Sequence, residues 1–260
     1  FKVQIGLQSI DNYSENVSAT RYGLQYPDRP YFNFATNTLV QPAVGGGVTE
    51  NSVSGYFAKL NYDFQNKYLF EFNVRNDGTS RFGATNDKQR GYFPGASLGW
   101  ILSREDFMKK IPIINYAKLR LSYGSLGNQE IGTNYPFVAS LANNIDYYFN
   151  GVLTRGTSLS NVQNVNLSWE KSTQANIGLD LTLLKNKLNV TFDYYQKKVT
   201  DMIIPLPLPA YAGFASNSST VPTNVGSMIN KGWEFSTTYK NNARNVNYSI
   251  TLNLADVTNK

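Results

Sequence analysis

The sequence predicts an all-β chain: an antiparallel transmembrane β-barrel, represented in part by about nine strands, with short periplasmic turns and long extracellular loops. Three observations predict it. Apolar or aromatic side chains recur at every second position, the connections between these runs alternate between short and long, and aromatics gather at both ends of the runs. Composition agrees, since 41% of the 260 residues are hydrophobic while 16% are charged, below the usual share of about 25% in soluble domains. With 18 Tyr and 15 Phe, aromatics reach 14%.

Val3, Ile5 and Leu7 suggest a first strand, followed by a long connection from Ile10 to Ser52. From Tyr56 one face carries Tyr56, Ala58, Leu60, Tyr62 and Phe64, and the other carries Lys59, Asn61 and Asp63. After Gln65 to Lys67 the pattern resumes with Tyr68, Phe70, Phe72 and Val74 against Glu71, Asn73, Arg75 and Asp77, which predicts a hairpin. Tyr92 to Trp100 and Ala117 to Tyr123 form the next pair. The segment Ser103 to Tyr116 between them is expected to be partly helical, with Ser103 as cap and Pro112 as stop. Ala175 to Leu183 and Leu188 to Tyr194 flank the tight Lys185 to Lys187 turn. Lys231 to Tyr239 and Val246 to Leu254 flank Lys240 to Asn245.

The long connections are Ile10 to Ser52, Gly78 to Gln89, Leu126 to Leu167 and Met202 to Ile229, rich in Gly, Asn, Ser, Thr and Pro, and all fall at one end of the sheet. Bacterial outer-membrane barrels have this asymmetry. A soluble β-sandwich shares the alternation, but its strands average about 5 or 6 residues, whereas a tilted membrane strand needs about 9 to 11. Tyr62, Phe64, Tyr68, Trp100, Tyr116 and Tyr239 lie near the short turns and Tyr56, Tyr92, Tyr123 and Trp169 toward the long loops, as two interfacial girdles require.

Other classes lose ground on composition. No run approaches the roughly 18 apolar residues of a membrane helix, and no charged and apolar leader opens the chain. The absence of Cys and His removes thiolates, disulfides, imidazole bases and the usual zinc ligands. The net charge of +6 is carried by Lys and Arg scattered singly, without the run or helix face that nucleic acid attracts.

Several junction segments resemble the SusC/RagA family of TonB-linked outer-membrane transporters, over about Asn51 to the C-terminus. They include Arg75-Asn76-Asp77-Gly78-Thr79-Ser80-Arg81-Phe82, Arg90-Gly91-Tyr92-Phe93-Pro94-Gly95 through Trp100, and Glu105-Asp106-Phe107. Lys118 to Gln129, Asn166-Leu167-Ser168-Trp169-Glu170, Asn176 to Asp180, Asp193 to Lys198 and Asn224 to Glu234 follow in the family's order. The resemblance implies a Gram-negative outer-membrane importer of glycans, oligosaccharides or peptides. It further implies a SusD-type surface lipoprotein as lid and TonB with ExbB and ExbD as energy source. The family's plug and TonB-contact segment are not recognisable, and no terminal aromatic closes the chain at Lys260. Residues 1–260 are therefore expected to be a fragment of one barrel domain.

No catalytic residue, cofactor site or metal site is expected. Asp180 with Asp193, or Glu170 with Glu234, would make a glycosidase pair only with a raised pKa and a defined separation, and wall residues are the simpler reading. Tyr92, Phe93 and Trp100 are expected as interface anchors. The substrate-contact candidates are Arg75, Arg81, Asn128, Gln129, Tyr147, Tyr148 and Tyr211, with Tyr135, Phe149, Phe214 and the Pro205 to Pro209 run beside them. A passive channel or adhesin barrel, and a soluble carbohydrate-binding sandwich, remain the alternatives.

Overall fold

The computed structural model describes residues 1–36, 39–83, 87–143, 145–209, 211, 220–243 and 246–260, with Asp87 and Ala243 as backbone alone. In chain order the strands are β1 (Lys2–Thr20), β2 (Ala43–Phe64), β3 (Tyr68–Thr79), β4 (Arg90–Trp100) and β5 (Ile114–Asn128). Four short strands follow: β6 (Leu141–Asn143), β7 (Tyr147–Phe149), β8 (Val152–Thr154) and β9 (Thr157–Leu159). Then come β10 (Glu170–Leu183), β11 (Leu188–Thr200), β12 (Ile203–Pro207), β13 (Thr220–Asn224), β14 (Ser227–Ala243) and β15 (Val246–Asn259). The nine long strands form one sheet in the order β1-β2-β3-β4-β5-β10-β11-β14-β15. Each long strand beyond β1 pairs with the long strand before it, so short turns and long loops alternate as the sequence predicts.

Register turns the period of two into rows. Tyr62, Phe70, Leu98, Leu121, Ile177, Tyr194 and Trp233 stand side by side across seven strands. The neighbouring row Asn61, Glu71, Ser97, Ser122, Asn176 and Tyr195 faces the other way. Among the described residues no second sheet covers the apolar row: Tyr62, Leu98, Leu121 and Ile177 are 46%, 52%, 41% and 44% exposed. A sandwich would bury these side chains, and that alternative fails on this point. A 13-residue strand such as β11 rises about 43 Å at about 3.3 Å per residue, or about 30 Å when tilted by about 45°, the thickness of a hydrocarbon core.

Residues 10–52 are one compact unit, and residues 1–9 with 53–260 are the other. The long loop expected from Ile10 to Ser52 is for the most part a two-stranded ribbon, because β1 runs to Thr20 and β2 begins at Ala43. Its ladder needs only backbone bonds, so no apolar alternation marked it; Asn12 Nδ2 donates to Asn51 Oδ1 at 3.0 Å. At its tip Leu24 bridges to Ala35, which is buried, and Phe34 makes edge contacts with Tyr26 and Tyr31.

The short turns have local causes. Gln65 and Asn66 take positive φ, and Asp63 Oδ1 accepts from Asn66 N at 2.7 Å. Leu184, Lys185 and Asn186 do the same between β10 and β11. Ser103 is not a helix cap: it lies within a 3-10 turn, Leu102–Arg104, and a second 3-10 turn, Asp106–Lys110, starts at Glu105 without a side-chain cap. Glu105 instead accepts from Tyr68 Oη at 2.8 Å, Trp100 Nε1 at 3.1 Å and Lys67 Nζ at 3.2 Å, tying this segment to the aromatic belt. These donors hold its carboxyl below the usual carboxylate range, the Trp100 indole first. The last turn is shorter than expected, since β14 reaches Ala243 and β15 starts at Val246; Arg244 and Asn245 lie outside the described residues. Tyr116 pairs with Thr182 on the polar face, past a bulge that offsets the start of β5, and so leaves the girdle.

Candidate functional site

The polar face of residues 53–260 is built from rows of amides, hydroxyls and paired charges. Arg120 on β5 donates through Nε to Asp180 Oδ2 at 2.7 Å and through Nη2 to Asp180 Oδ1 at 3.1 Å and Asp193 Oδ2 at 3.0 Å. The register makes this fork possible, because Gly178 separates Arg120 from Asp193 in the row. A Cβ at Gly178 would strike Asp193 Oδ1 and lie 2.7 Å from Arg120 Cζ. Lys59 pairs with Glu71 at 3.0 Å further along the wall. Asn61, Asp63, Glu71, Ser97, Lys118 and Arg120 line a hollow of about 700 Å³. Asp180 and Asp193 are thus brought together, but around a guanidinium that occupies both carboxylates. Glu170 opens β10 and accepts from Ile203 N, whereas Glu234 lies beside Asp193 in mid-sheet, so that pair is not assembled.

At the long-loop end the fully buried Phe82 and Leu167 pack with the buried Phe93 and Trp169 and are flanked by Ile131 and Ile203. Trp169 meets Phe82 at 5.6 Å and Phe93 at 5.3 Å, both edge-on. Gly127 allows this, since a Cβ there would strike Phe93 and lie 2.8 Å from Trp169 Cε3. Phe93 and Trp169 are therefore core residues and not interface anchors: Phe93 falls on the polar parity of β4, opposite to Tyr92, and Trp169 precedes β10. Tyr92 is 69% exposed on the apolar face, and Trp100 stacks on Tyr68, as interfacial positions require.

Hydrogen bonds fasten the loops to this cluster. Trp169 Nε1 donates to Gln89 O at 3.0 Å, and Gln89 Nε2 donates to Phe82 O at 2.9 Å. Asn224 Nδ2 donates to Ser168 O and Asp201 O, both at 2.9 Å, while its Oδ1 accepts from Ser168 N at 2.8 Å. Asn164 Nδ2 reaches Pro222 O at 2.8 Å. The Pro205 to Pro209 run is not a free spacer, because β12 pairs with β13 with Pro205 opposite Pro222. The connection from Leu126 is shorter than expected, since β5 continues to Asn128, and it folds into nested ribbons, β6 with β9 and β7 with β8.

Arg81 pairs with Glu130 at 2.7 Å and donates to Asn134 at 3.2 Å, and Asn128 donates to Glu170 at 3.3 Å, so Arg81, Asn128 and Gln129 gather at the loop base. Gln129 Oε1 is buried without a hydrogen-bond partner among the described residues. Arg75 is committed to Asp77 at 3.0 Å and Gln8 at 2.9 Å within the wall. Tyr147 and Tyr148 stand on β7, 67% and 65% exposed, and Tyr211 is 91% exposed; these rings are not gathered with the loop base. Phe214 lies outside the described residues. Sequence reasoning missed Phe82, Gln89 and Asn224 as loop fasteners. A large aromatic on the polar parity with glycines nearby, Phe93 with Gly91 and Gly127, was the available signal.

A profile of the family described as "TonB dependent receptor-like, beta-barrel" matches residues 3–260. TonB-dependent receptor P39 of Formosa agariphila is 38% identical over 192 residues, covering 74% of this chain and 17% of the relative. TonB-dependent receptor SusC of Bacteroides thetaiotaomicron is 35% identical over 217 residues, 81% of this chain and 21% of the relative. The RagAB peptide importer in its closed-closed state superposes with a TM-score of 0.84 at 27% identity, over 99% of this chain and 27% of that chain. The chain thus spans between 17% and 21% of the length of these curated relatives.

Proposed function

This chain belongs to the TonB-dependent receptor β-barrel family, in its SusC/RagA type and therefore in the outer membrane of a Gram-negative bacterium, and from that premise we propose that it forms wall and loops of an active importer. The family is one of transporters, and its members are not enzymes. The cargo is a glycan, an oligosaccharide or a peptide, a SusD-type lipoprotein closes over the extracellular loops, and TonB with ExbB and ExbD supplies the energy. The observation that carries this reading is the fit to the RagAB peptide importer along 99% of the chain. A wall of paired charges and amides supports the passage of a polar cargo. Gln129, whose buried amide oxygen lacks a partner among the described residues, and the exposed Tyr147, Tyr148 and Tyr211 are assigned to ligand contact. Asn128 and Arg81 hold the loop base beneath them, and Arg75 stiffens the wall.

Growth of a strain lacking the gene tests the reading. Loss of growth on one glycan or peptide source, restored by the intact gene, is the expected result; unchanged growth on every source would overturn it. In the complemented strain, replacing Tyr147, Tyr148 and Tyr211 together by Ala lowers uptake several-fold while the amount of protein in the outer membrane stays the same.

A further inference from the structure

On the short-turn side of the sheet, connections remote in sequence form one continuous rim. Ile101 N donates to Lys67 O at 2.8 Å and Arg104 Nη1 to Asn66 O at 2.7 Å, joining the first turn to the 101–113 segment. Leu184 N donates to Ile113 O at 3.1 Å and Asn186 N to Asn115 Oδ1 at 3.2 Å, which adds the next turn. Lys240 N, donating to Lys187 O at 2.7 Å, adds the end of β14.

Charge follows this rim. Among the residues of these connections, six are basic and two, Glu105 and Asp106, are acidic. Lys67 is taken up by Glu105, Lys109 by Asp106 and Arg104 by a backbone carbonyl. Lys110, Lys185 and Lys187 are exposed and make no ion pair among the described residues. At the other end, the segments 80–89, 129–169 and 201–226 hold three basic against four acidic residues in sequence. The short-turn connections are thus net basic, and the segments 80–89, 129–169 and 201–226 are not.

Just inside the rim the apolar face carries a stacked belt, with Phe64 on Tyr68 at 6.4 Å and Tyr68 on Trp100 at 6.3 Å. Such belts lie at headgroup level, and a lysine on a long stem just beyond one reaches the phosphate layer. We propose that this rim is a binding surface for anionic phospholipid headgroups of the periplasmic leaflet, with Lys110, Lys185 and Lys187 as its cations. Charge complementarity and continuity with the lipid-facing belt select this occupant. The proposal goes beyond import and requires no transported cargo.

The test reconstitutes the intact protein in phosphatidylcholine nanodiscs and measures its association with spin-labelled phosphatidylglycerol and spin-labelled phosphatidylcholine. Wild type favours phosphatidylglycerol by about fivefold or more, and raising sodium chloride removes the preference. A variant with Lys110→Gln, Lys185→Gln and Lys187→Gln loses it, its folding checked by heat-modifiable gel migration. A control with Arg155→Gln, Lys171→Gln and Lys198→Gln, at the other end, retains it. Equal association of both lipids with wild type, a preference indifferent to salt, or equal loss in the control would overturn the proposal. So would displacement by sodium phosphate beyond that by sodium chloride of matched ionic strength, which would indicate a site for the free ion. Because no uptake is measured, failure here leaves the importer reading untouched, and failure of import leaves the lipid preference untouched.

Discussion

Arg120 shows how much one side chain on the polar face can decide. Its planar fork satisfies two carboxylates from different strands, and removing it leaves Asp180 and Asp193 facing each other across Gly178. Arg120→Met should destabilise the sheet by about 2 kcal/mol, less than the 3–5 kcal/mol of fully buried pairs because the guanidinium keeps 33% of its surface exposed. Urea titration of heat-modifiable migration measures this, and Arg120→Lys should recover only part of the loss. Glu105 carries a pH dependence of known sign. Its folded pKa lies below its unfolded one, so its contribution is complete above the ordinary carboxylate pKa and is lost as the pH falls through the lowered value. Trp100 fluorescence, read with Trp169→Phe and Trp233→Phe in place, should be flat from pH 8 to about pH 5 and change below about pH 4. Glu105→Gln should abolish that acid step. Neither role was legible in the sequence: Asp180 and Asp193 could be named as wall residues, but only register brings Arg120 between them. Glu105 fell within the Ser103 to Tyr116 segment, which was expected to be partly helical.

Elements were legible to the degree that lipid imposed a pattern on them. β3, β10 and β11 alternate cleanly because one face meets hydrocarbon and the other water; their short-turn ends at Tyr68, Leu183 and Leu188 were read to the residue, while their long-loop ends run up to six residues beyond the pattern. The arms of β1 and β2 beyond Ile10 and before Val53 carry no such pattern, since both faces are exposed, and the sequence offered only a loop there. Phe93 and Trp169 were misread for a related reason. Alternation records which parity a side chain occupies, whereas their burial depends on loops that return to cover the polar face. Trp169→Ala tests that arrangement at the scale of whole loops. It should cost about 3–5 kcal/mol of local stability, and limited proteolysis should then cut the 80–89, 129–169 and 201–226 segments together and not one alone.

For the molecule as a whole, the uncovered apolar face assigns opposite fates to adjacent residues. Leu121→Arg, in the middle of the apolar row, should impair assembly by about 2–4 kcal/mol, while Ser122→Arg, one residue on and facing Ser97 and Asn176, should leave it intact; heat-modifiable migration of the two variants is the measurement. Fold class, strand number and the side of the long loops followed from two repeating signals, alternation and connection length, which act over the entire chain. The basic rim escaped the sequence because its lysines come from separate turns and meet only when the sheet is assembled. The shared anchor at Trp169 has a practical meaning for anyone re-targeting such a protein. Because Phe82, Leu167 and Trp169 lock three loops to one another, a foreign loop grafted singly inherits neighbours shaped for a different sequence. The transplantable module is the trio with its anchor residues, and libraries should recombine it as one cassette.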